Sequence, residues 1–220
     1  MLDLLLPQRC LVCSRPGPQV CAECRTRLRH VAPPLCGRCG APTSWPVRRC
    51  AECTGRRLAF ASARSAVEYD DPVRRIVVAW KERGLRRLAG WAAAVVVDVV
   101  ARPEVSSLVW VPPDVDRRLR RGHHAAERLA EALARAWDLP ASPLLSRSGF
   151  SSPQRGKSRA DRRRNVAGVF EPRGRIPPTV ALVDDVYTTG ATASSAASAL
   201  RRGGARRVEV VTFARTIRIR

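Results

Sequence analysis

Lysine is almost missing from this chain. Lys81 and Lys157 are the only two, against 38 arginines, so guanidinium groups carry nearly all of the net charge of +21. A field of that sign and size attracts polyanions: nucleic acid, acidic lipid surfaces or pyrophosphate groups. The same bias, alongside abundant Ala, Gly and Pro, also arises in GC-rich genomes, where part of the charge is drift on a solvated surface. Aromatic residues are scarce at 5%, which weakens base stacking as a mode of nucleic-acid binding. Long apolar runs are missing as well. The longest candidate, Trp91 to Val100, is too short for a bilayer and is interrupted by Asp98, so no transmembrane helix is expected. The opening Met-Leu-Asp-Leu-Leu-Leu-Pro has an early acid and no basic stretch, unlike a secretory signal, and a cytoplasmic location is expected. The apolar content of 45% over 220 residues is enough for a core and suits one medium domain plus a small one.

Cysteine is absent after residue 53. All eight cysteines fall before that point as four Cys-x-x-Cys pairs: Cys10/Cys13, Cys21/Cys24, Cys36/Cys39 and Cys50/Cys53. Each such turn aims two thiolates at one ion, and two turns complete a tetrahedral site, so the pattern predicts two structural Zn²⁺ ions. A disulfide scaffold conflicts with the lack of a secretory signal, because cytosolic thiols stay reduced. A redox pair conflicts with the lack of a thioredoxin-like context. The knuckles can be paired in three ways. Loop-closure entropy favours the sequential one, Cys10/Cys13/Cys21/Cys24 and Cys36/Cys39/Cys50/Cys53, with seven residues from Cys13 to Cys21 and ten from Cys39 to Cys50. Gly37 and Gly40 suit the tight turn of a knuckle. The segment has few aliphatics, so metal stands in for a core. Both sites are saturated by thiolate, which leaves no open position for catalysis.

Residues 180–192 read Val-Ala-Leu-Val-Asp-Asp-Val-Tyr-Thr-Thr-Gly-Ala-Thr. Val180 to Val183 predict a short buried strand with Asp184 and Asp185 at its end. A Thr/Gly-rich turn follows and then a helix from Ala191. The unpaired N–H groups of a helix start, with its dipole, favour an anion, and Thr188, Thr189 and Thr192 add hydroxyl donors. The turn therefore suits a phosphate, and the paired carboxylates suit a neighbouring polyol or metal. Tyr187 is expected either at the loop mouth, where it could stack on a base, or packed on the loop of residues 146–168.

Elsewhere the pattern alternates. A strand is expected at 66–69, and a helix from Pro72 to about Arg83 with Asp71 as its N-cap, ended by Gly84. A well-buried helix is expected from Arg86 to about Ala101, a strand at Leu108–Val111 broken by Pro112-Pro113, and an amphipathic helix over 123–137. Residues 146–168 are rich in Ser, Gly, Arg and Lys with no apolar stripe and read as a lid-like loop. Val169-Phe170 begins a short strand, a helix spans Ala191–Gly203, and Val208–Ala214 is a last buried strand. Strands alternating with helices after residue 60 predict a parallel-sheet α/β domain, with the motif at the carboxyl end of a strand. His123-His124 do not converge on one ion, because adjacent helical residues point about 100° apart, and they read as polar helix-start residues.

Residues 180–192 resemble the phosphoribosyl pyrophosphate (PRPP) motif of the type I phosphoribosyltransferases. That resemblance implies that Asp184 and Asp185 hold the ribose hydroxyls and that Thr188, Thr189, Gly190, Ala191 and Thr192 hold the 5-phosphate, with Mg²⁺ accompanying PRPP. The whole chain resembles the ComF family, which joins tetracysteine ribbons to a phosphoribosyltransferase-like domain. The matching residues are Val111-Pro112, Arg117, Arg121 and Gly122, then Gln154, Gly156, Ser158, Arg162, Asn165, Val166, Gly168 and Phe170, and Ala214-Arg215 at the close. His123, His124 and Ala125 replace the family's Phe-Asn-Gln, and Lys157 replaces a Leu. The resemblance implies a double zinc-ribbon over 1–58 and a type I phosphoribosyltransferase-like domain over 59–220. It further implies a pyrophosphate loop at Pro112, Arg117 and Arg121, and a hood at about 146–168 from which Lys157 and Arg162 reach the ligand. By the same resemblance the function is PRPP binding linked to DNA uptake in natural competence. Turnover would be displacement at the ribose C1, and the competing reading is a non-catalytic sensor or single-stranded-DNA module acting with a helicase or recombination partner. Thr188 stands where some phosphoribosyltransferases carry an Asp that activates the base, so no catalytic base is assigned.

Overall fold

A computed structural model of the chain describes residues 8–113, 124–147 and 169–217. Arg117, Arg121, Lys157 and Arg162 lie outside the described residues, as does the predicted hood apart from Ser146 and Arg147. The elements in chain order are α1 (Ala22–Thr26), β1 (Ser62–Glu68), α2 (Asp71–Glu82), α3 (Leu88–Val99), β2 (Ser107–Trp110), α4 (Ala125–Trp137), β3 (Ala141–Ser142), β4 (Leu145–Arg147), β5 (Phe170–Pro172), β6 (Thr179–Tyr187), α5 (Ala191–Arg202) and β7 (Arg207–Arg215).

Five strands form a parallel sheet in the order β1-β7-β6-β2-β3. The α/β class with a parallel sheet and an N-terminal cysteine-ribbon region is thus as the sequence predicts. Alternate residues of β6 enter opposite cores. Ala181 and Val183 join the side chains of α2, α3 and α4, whereas Val180 and Leu182 join those of α5. Burial on both faces explains why the strand is an unbroken apolar run rather than an alternating one.

The cysteine ribbons complete these cores. Cys10, Val20, Cys24 and Leu28 belong to the first, and Cys36, Cys39, Cys53, Leu58 and Phe60 to the second. Residues 29–31 also add antiparallel to the outer edge of β1, through Val31 N to Ala66 O at 2.9 Å and Glu68 N to Arg29 O at 2.8 Å. That edge is therefore covered.

Several local expectations change. The first strand starts at Ser62, four residues before the predicted Ala66. Asp70, not Asp71, caps α2, because its carboxylate accepts from Val73 N at 3.1 Å. Pro72 has no N–H to offer, so the first amide within reach lies three residues past Asp70. Ser146 and Arg147 are not loop but strand, since β4 pairs antiparallel with β5. The strand predicted to stop at Val183 continues to Tyr187, because β7 pairs with it along its full length, from Thr179↔Arg207 to Tyr187↔Arg215. On the other side β2 pairs only as far as Trp110↔Val183. Among the described residues, the two acids therefore lie on a strand segment with one open edge.

Candidate functional site

A cavity of about 400 Å³ opens where β2 stops and β6 runs on. Asp184, Asp185 and Thr188 come from β6 and the turn after it, Thr192 from the first turn of α5, and Pro112 from the turn after β2. These five predicted residues are brought together at the carboxyl edge of the sheet, the usual ligand position in open α/β folds. Thr189, Gly190 and Ala191 do not line the cavity. Thr189 Oγ1 accepts from Ala191 N at 3.3 Å, and Gly190 is buried beneath the turn in the left-handed region, φ 72°.

Three lining residues had not been singled out in the sequence: Lys81 from α2, Arg147 from β4 and Tyr69 after β1. Lys81 Nζ lies 2.7 Å from each carboxylate oxygen of Asp185, across 104 residues of sequence. One signal for it was available. In a chain that places arginine at nearly every basic position, a retained lysine marks a site suited to a compact ammonium rather than a planar fork.

The acidic pair is electrostatically loaded. Asp184 Oδ1 accepts from Asp185 N at 2.9 Å. Burial, then the neighbouring Asp185 charge, pushes the Asp184 carboxyl up to about 7, and Lys81 opposes the shift. The folded protein thus holds a proton on Asp184 that the unfolded chain releases near pH 4. Stability from this group falls as pH rises from about 4 to about 7, and the loss is complete above that window. Asp184→Asn keeps the acceptor for Asp185 N and removes the charge. We expect it to raise the melting temperature at pH 8 relative to the wild type, with the difference closing toward pH 4; equal melting curves at pH 8 would count against a loaded carboxylate.

Geometry bears on two expectations about neighbouring residues. Tyr187 is not exposed at the loop mouth, and the alternative of packing on the hood falls on residues outside those described. It is 4% exposed and faces away from the cavity. Its ring meets Phe60 edge-on at 6.3 Å and lies under the Arg215 guanidinium at 5.3 Å. Burial raises its hydroxyl to about 12. His124 is a helix-start residue, as expected: its Nδ1 accepts from Glu127 N at 3.3 Å and caps α4.

The eight cysteines form two clusters, Cys10/Cys13/Cys21/Cys24 and Cys36/Cys39/Cys50/Cys53, with the sulfurs of each within 4.8 Å of one another. This is the sequential pairing. The separations Cys13–Cys21 at 3.8 Å, Cys36–Cys53 at 3.6 Å and Cys39–Cys50 at 3.5 Å are far too long for disulfides. They match the edge of a tetrahedron with metal–sulfur bonds of about 2.3 Å, which is about 3.8 Å. Backbone N–H groups are aimed at the sulfurs: Cys21 N lies 3.5 Å from Cys10 Sγ and Cys50 N lies 3.3 Å from Cys36 Sγ. Burial works against the charged thiolates, but these and adjoining N–H groups outweigh it and hold Cys10 and Cys36 down to about 6. A donor set of four thiolates with such support fits Zn²⁺.

Fold and site together define a parallel α/β protein with a double tetracysteine ribbon built into its cores and a cavity of about 400 Å³ at the carboxyl edge of the sheet. Residues 1–54 match the model of the double zinc ribbon domain family. Over 89% of its length the chain is 29% identical to competence protein F of Haemophilus influenzae, covering 90% of that protein. It is 28% identical to the DNA utilization protein YhgH of Salmonella typhimurium, over 97% of this chain and 100% of that one. It is 27% identical to competence protein ComFC of Bacillus subtilis, over 94% and 89% of the two chains. These similarities agree with the resemblance carried by the cysteine ribbons and the motifs that follow: along most of its length the chain is similar to competence proteins F and ComFC and to YhgH. Among the described residues no helix is long and apolar enough to cross a membrane.

Proposed function

We propose that the cavity binds PRPP or a closely related phosphoribosyl ligand, and that the protein serves DNA uptake from the cytoplasm. The observation that carries the ligand reading is the convergence of Asp184, Asp185, Thr188 and Thr192 on one cavity beside the start of α5. Carboxylates accept from vicinal ribose hydroxyls, and hydroxyls with helix-start N–H groups donate to a terminal phosphate. Pro112 belongs to the turn that would face the diphosphate, and Arg117, Arg121, Lys157 and Arg162 are the cations proposed to reach it. Asp184 and Asp185 fit a Mg²⁺ that keeps several waters and takes its other ligands from substrate oxygens, and such an ion would neutralise diphosphate charge. Lys81 meanwhile neutralises Asp185 in the ligand-free protein and must yield or shift when a cation arrives.

The DNA-uptake role is supported by the names of the relatives, competence protein F, ComFC and DNA utilization protein. The excess of arginine supports a polyanion partner, and Arg38, Arg48 and Arg49 line a basic cleft on the second ribbon. A non-catalytic reading, in which the domain holds PRPP or a nucleotide while the ribbons engage single-stranded DNA and a helicase, is favoured by Thr188. Its hydroxyl sits at the cavity but is no effective base at neutral pH.

One experiment separates these readings. PRPP with Mg²⁺ is titrated calorimetrically into the wild type and into Asp184→Ala/Asp185→Ala, and pyrophosphate release is then assayed with a panel of nucleobases. Binding by the wild type that weakens at least about 100-fold in the double variant is expected. No wild-type binding removes both ligand readings, and binding without release selects the sensor. For DNA, the affinity for a single strand should fall steeply with salt, and a flat response would mean that the charge is not used on phosphates.

A further inference from the structure

The second ribbon reaches the turn before α5 by three routes. Arg56, three residues after Cys53, donates through Nη2 to the carbonyl of Thr189. Its other terminal nitrogen donates to Glu52 O at 3.5 Å, between Cys50 and Cys53. Ser194, in the first turn of α5, accepts from Ala59 N at 3.1 Å and donates to Arg57 O at 3.4 Å. The third route is buried. Arg215 is wholly enclosed, donates to Cys39 O at 2.7 Å and pairs with Glu52 at 3.3 Å. Its guanidinium covers the Tyr187 ring, and the Tyr187 hydroxyl lies directly beneath Gly190.

The Arg56 and Arg215 contacts involve the Cys36/Cys39/Cys50/Cys53 knuckle or residues close to it in sequence, and the Ser194 contacts involve residues 57 and 59 just past it. The first ribbon makes a different set. Arg75 of α2 donates to Val12 O at 3.1 Å, Arg25 pairs with Asp98 of α3 at 2.7 Å, and residues 29–31 pair with β1. The two ribbons are alike in sequence and unlike in what they hold.

We propose that the second ribbon positions the 188–194 segment, and that Arg56 is the residue through which it does so. Pulling the Thr189 carbonyl toward the ribbon orients the following peptide units, and hence the direction in which the N–H groups at the start of α5 point. Arg56 is a positioning residue; it does not line the cavity. Its importance for ligand binding rests on the reading of 188–192 as the phosphate turn, but its hold on the segment does not.

The test uses the full, zinc-loaded chain and two readouts. Hydrogen exchange is followed at residues 189–195 in the wild type and in Arg56→Ala, Arg56→Lys, Ser194→Ala and Arg25→Ala. Arg56→Ala is expected to speed exchange in this segment by about tenfold while β7 stays protected, and Arg56→Lys, which keeps a donor, to restore most of it. Ser194→Ala should act in the same direction, and Arg25→Ala should leave the segment unchanged. PRPP affinity, where the wild type binds, is expected to drop at least about fivefold in Arg56→Ala with recovery in Arg56→Lys. Exchange within about twofold of wild type in Arg56→Ala, or an equal change in Arg25→Ala, overturns the proposal. A wild type that binds no PRPP overturns the ligand reading instead and leaves the exchange result to stand.

Discussion

Stripping zinc from the protein is expected to lower the melting temperature of the whole chain by more than about 15 °C, not merely to unravel the ribbons. Structural zinc contributes an apparent binding free energy of about 10–16 kcal/mol in small zinc folds, and that energy is folding energy wherever the unfolded chain has no site. Here it is shared with the α/β domain. Cys10 and Cys24 are packed with α2, α3 and α4, and Cys36, Cys39 and Cys53 with α5 and the far face of the sheet. Metal loss leaves buried thiols without their common partner, two of which burial already pushes well above the ordinary thiol range, Cys24 to about 12 and Cys39 further. The measurement is thermal unfolding before and after chelation under reducing conditions, with metal content determined alongside. About two zinc ions per chain should accompany the stable form. A chain that loses all its zinc and still melts within a few degrees of the loaded form would show that the α/β domain stands alone.

Local chemistry made the ribbons and the apolar strand legible in the sequence. Cys-x-x-Cys turns close on themselves, and short intervening loops favour sequential pairing; four adjacent aliphatics predict a strand buried on both faces. Relations that depend on where another strand stops were not legible. The acids were expected at the end of a short strand rather than within a longer one, because nothing local says that β7 continues to pair with β6 after β2 has ended. The same register decides Tyr187. One residue of parity turns it from the ligand side to the Phe60 side, and the sequence Val-Tyr-Thr carries no mark of that. Lys81 and Arg147 reach the cavity from distant elements, and β4 pairs with β5 across a gap of more than twenty residues, so no window of sequence contains either relation.

Gly190→Ala is expected to destabilise the protein and to abolish measurable ligand binding at the adjoining cavity. Gly190 has φ 72°, and an added methyl would lie 2.2 Å from the Tyr187 hydroxyl oxygen and 2.5 Å from the ring carbon that bears it. The left-handed conformation costs about 1–2 kcal/mol for a non-glycine residue. Overpacking costs about 1–3 kcal/mol more if the neighbour cannot retreat. Tyr187 has little room to do so, with Phe60 at its edge and Arg215 over its face, itself bound to Cys39 O and Glu52. The strain must therefore appear in the turn, which shifts the start of α5 by an appreciable fraction of an ångström. A shift of that size in a preorganised anion site is expected to weaken PRPP binding by more than about 100-fold. Gly90, inside α3, supplies the control: an added methyl there meets nothing within 4 Å. Gly90→Ala should stabilise by about 0.5–1 kcal/mol through helix propensity and leave binding untouched. Thermal melts and PRPP titrations of the two variants side by side make the comparison. If Gly190→Ala binds as the wild type does, the turn accommodates a side chain and the close approach of Tyr187 to its backbone has no part in shaping the site.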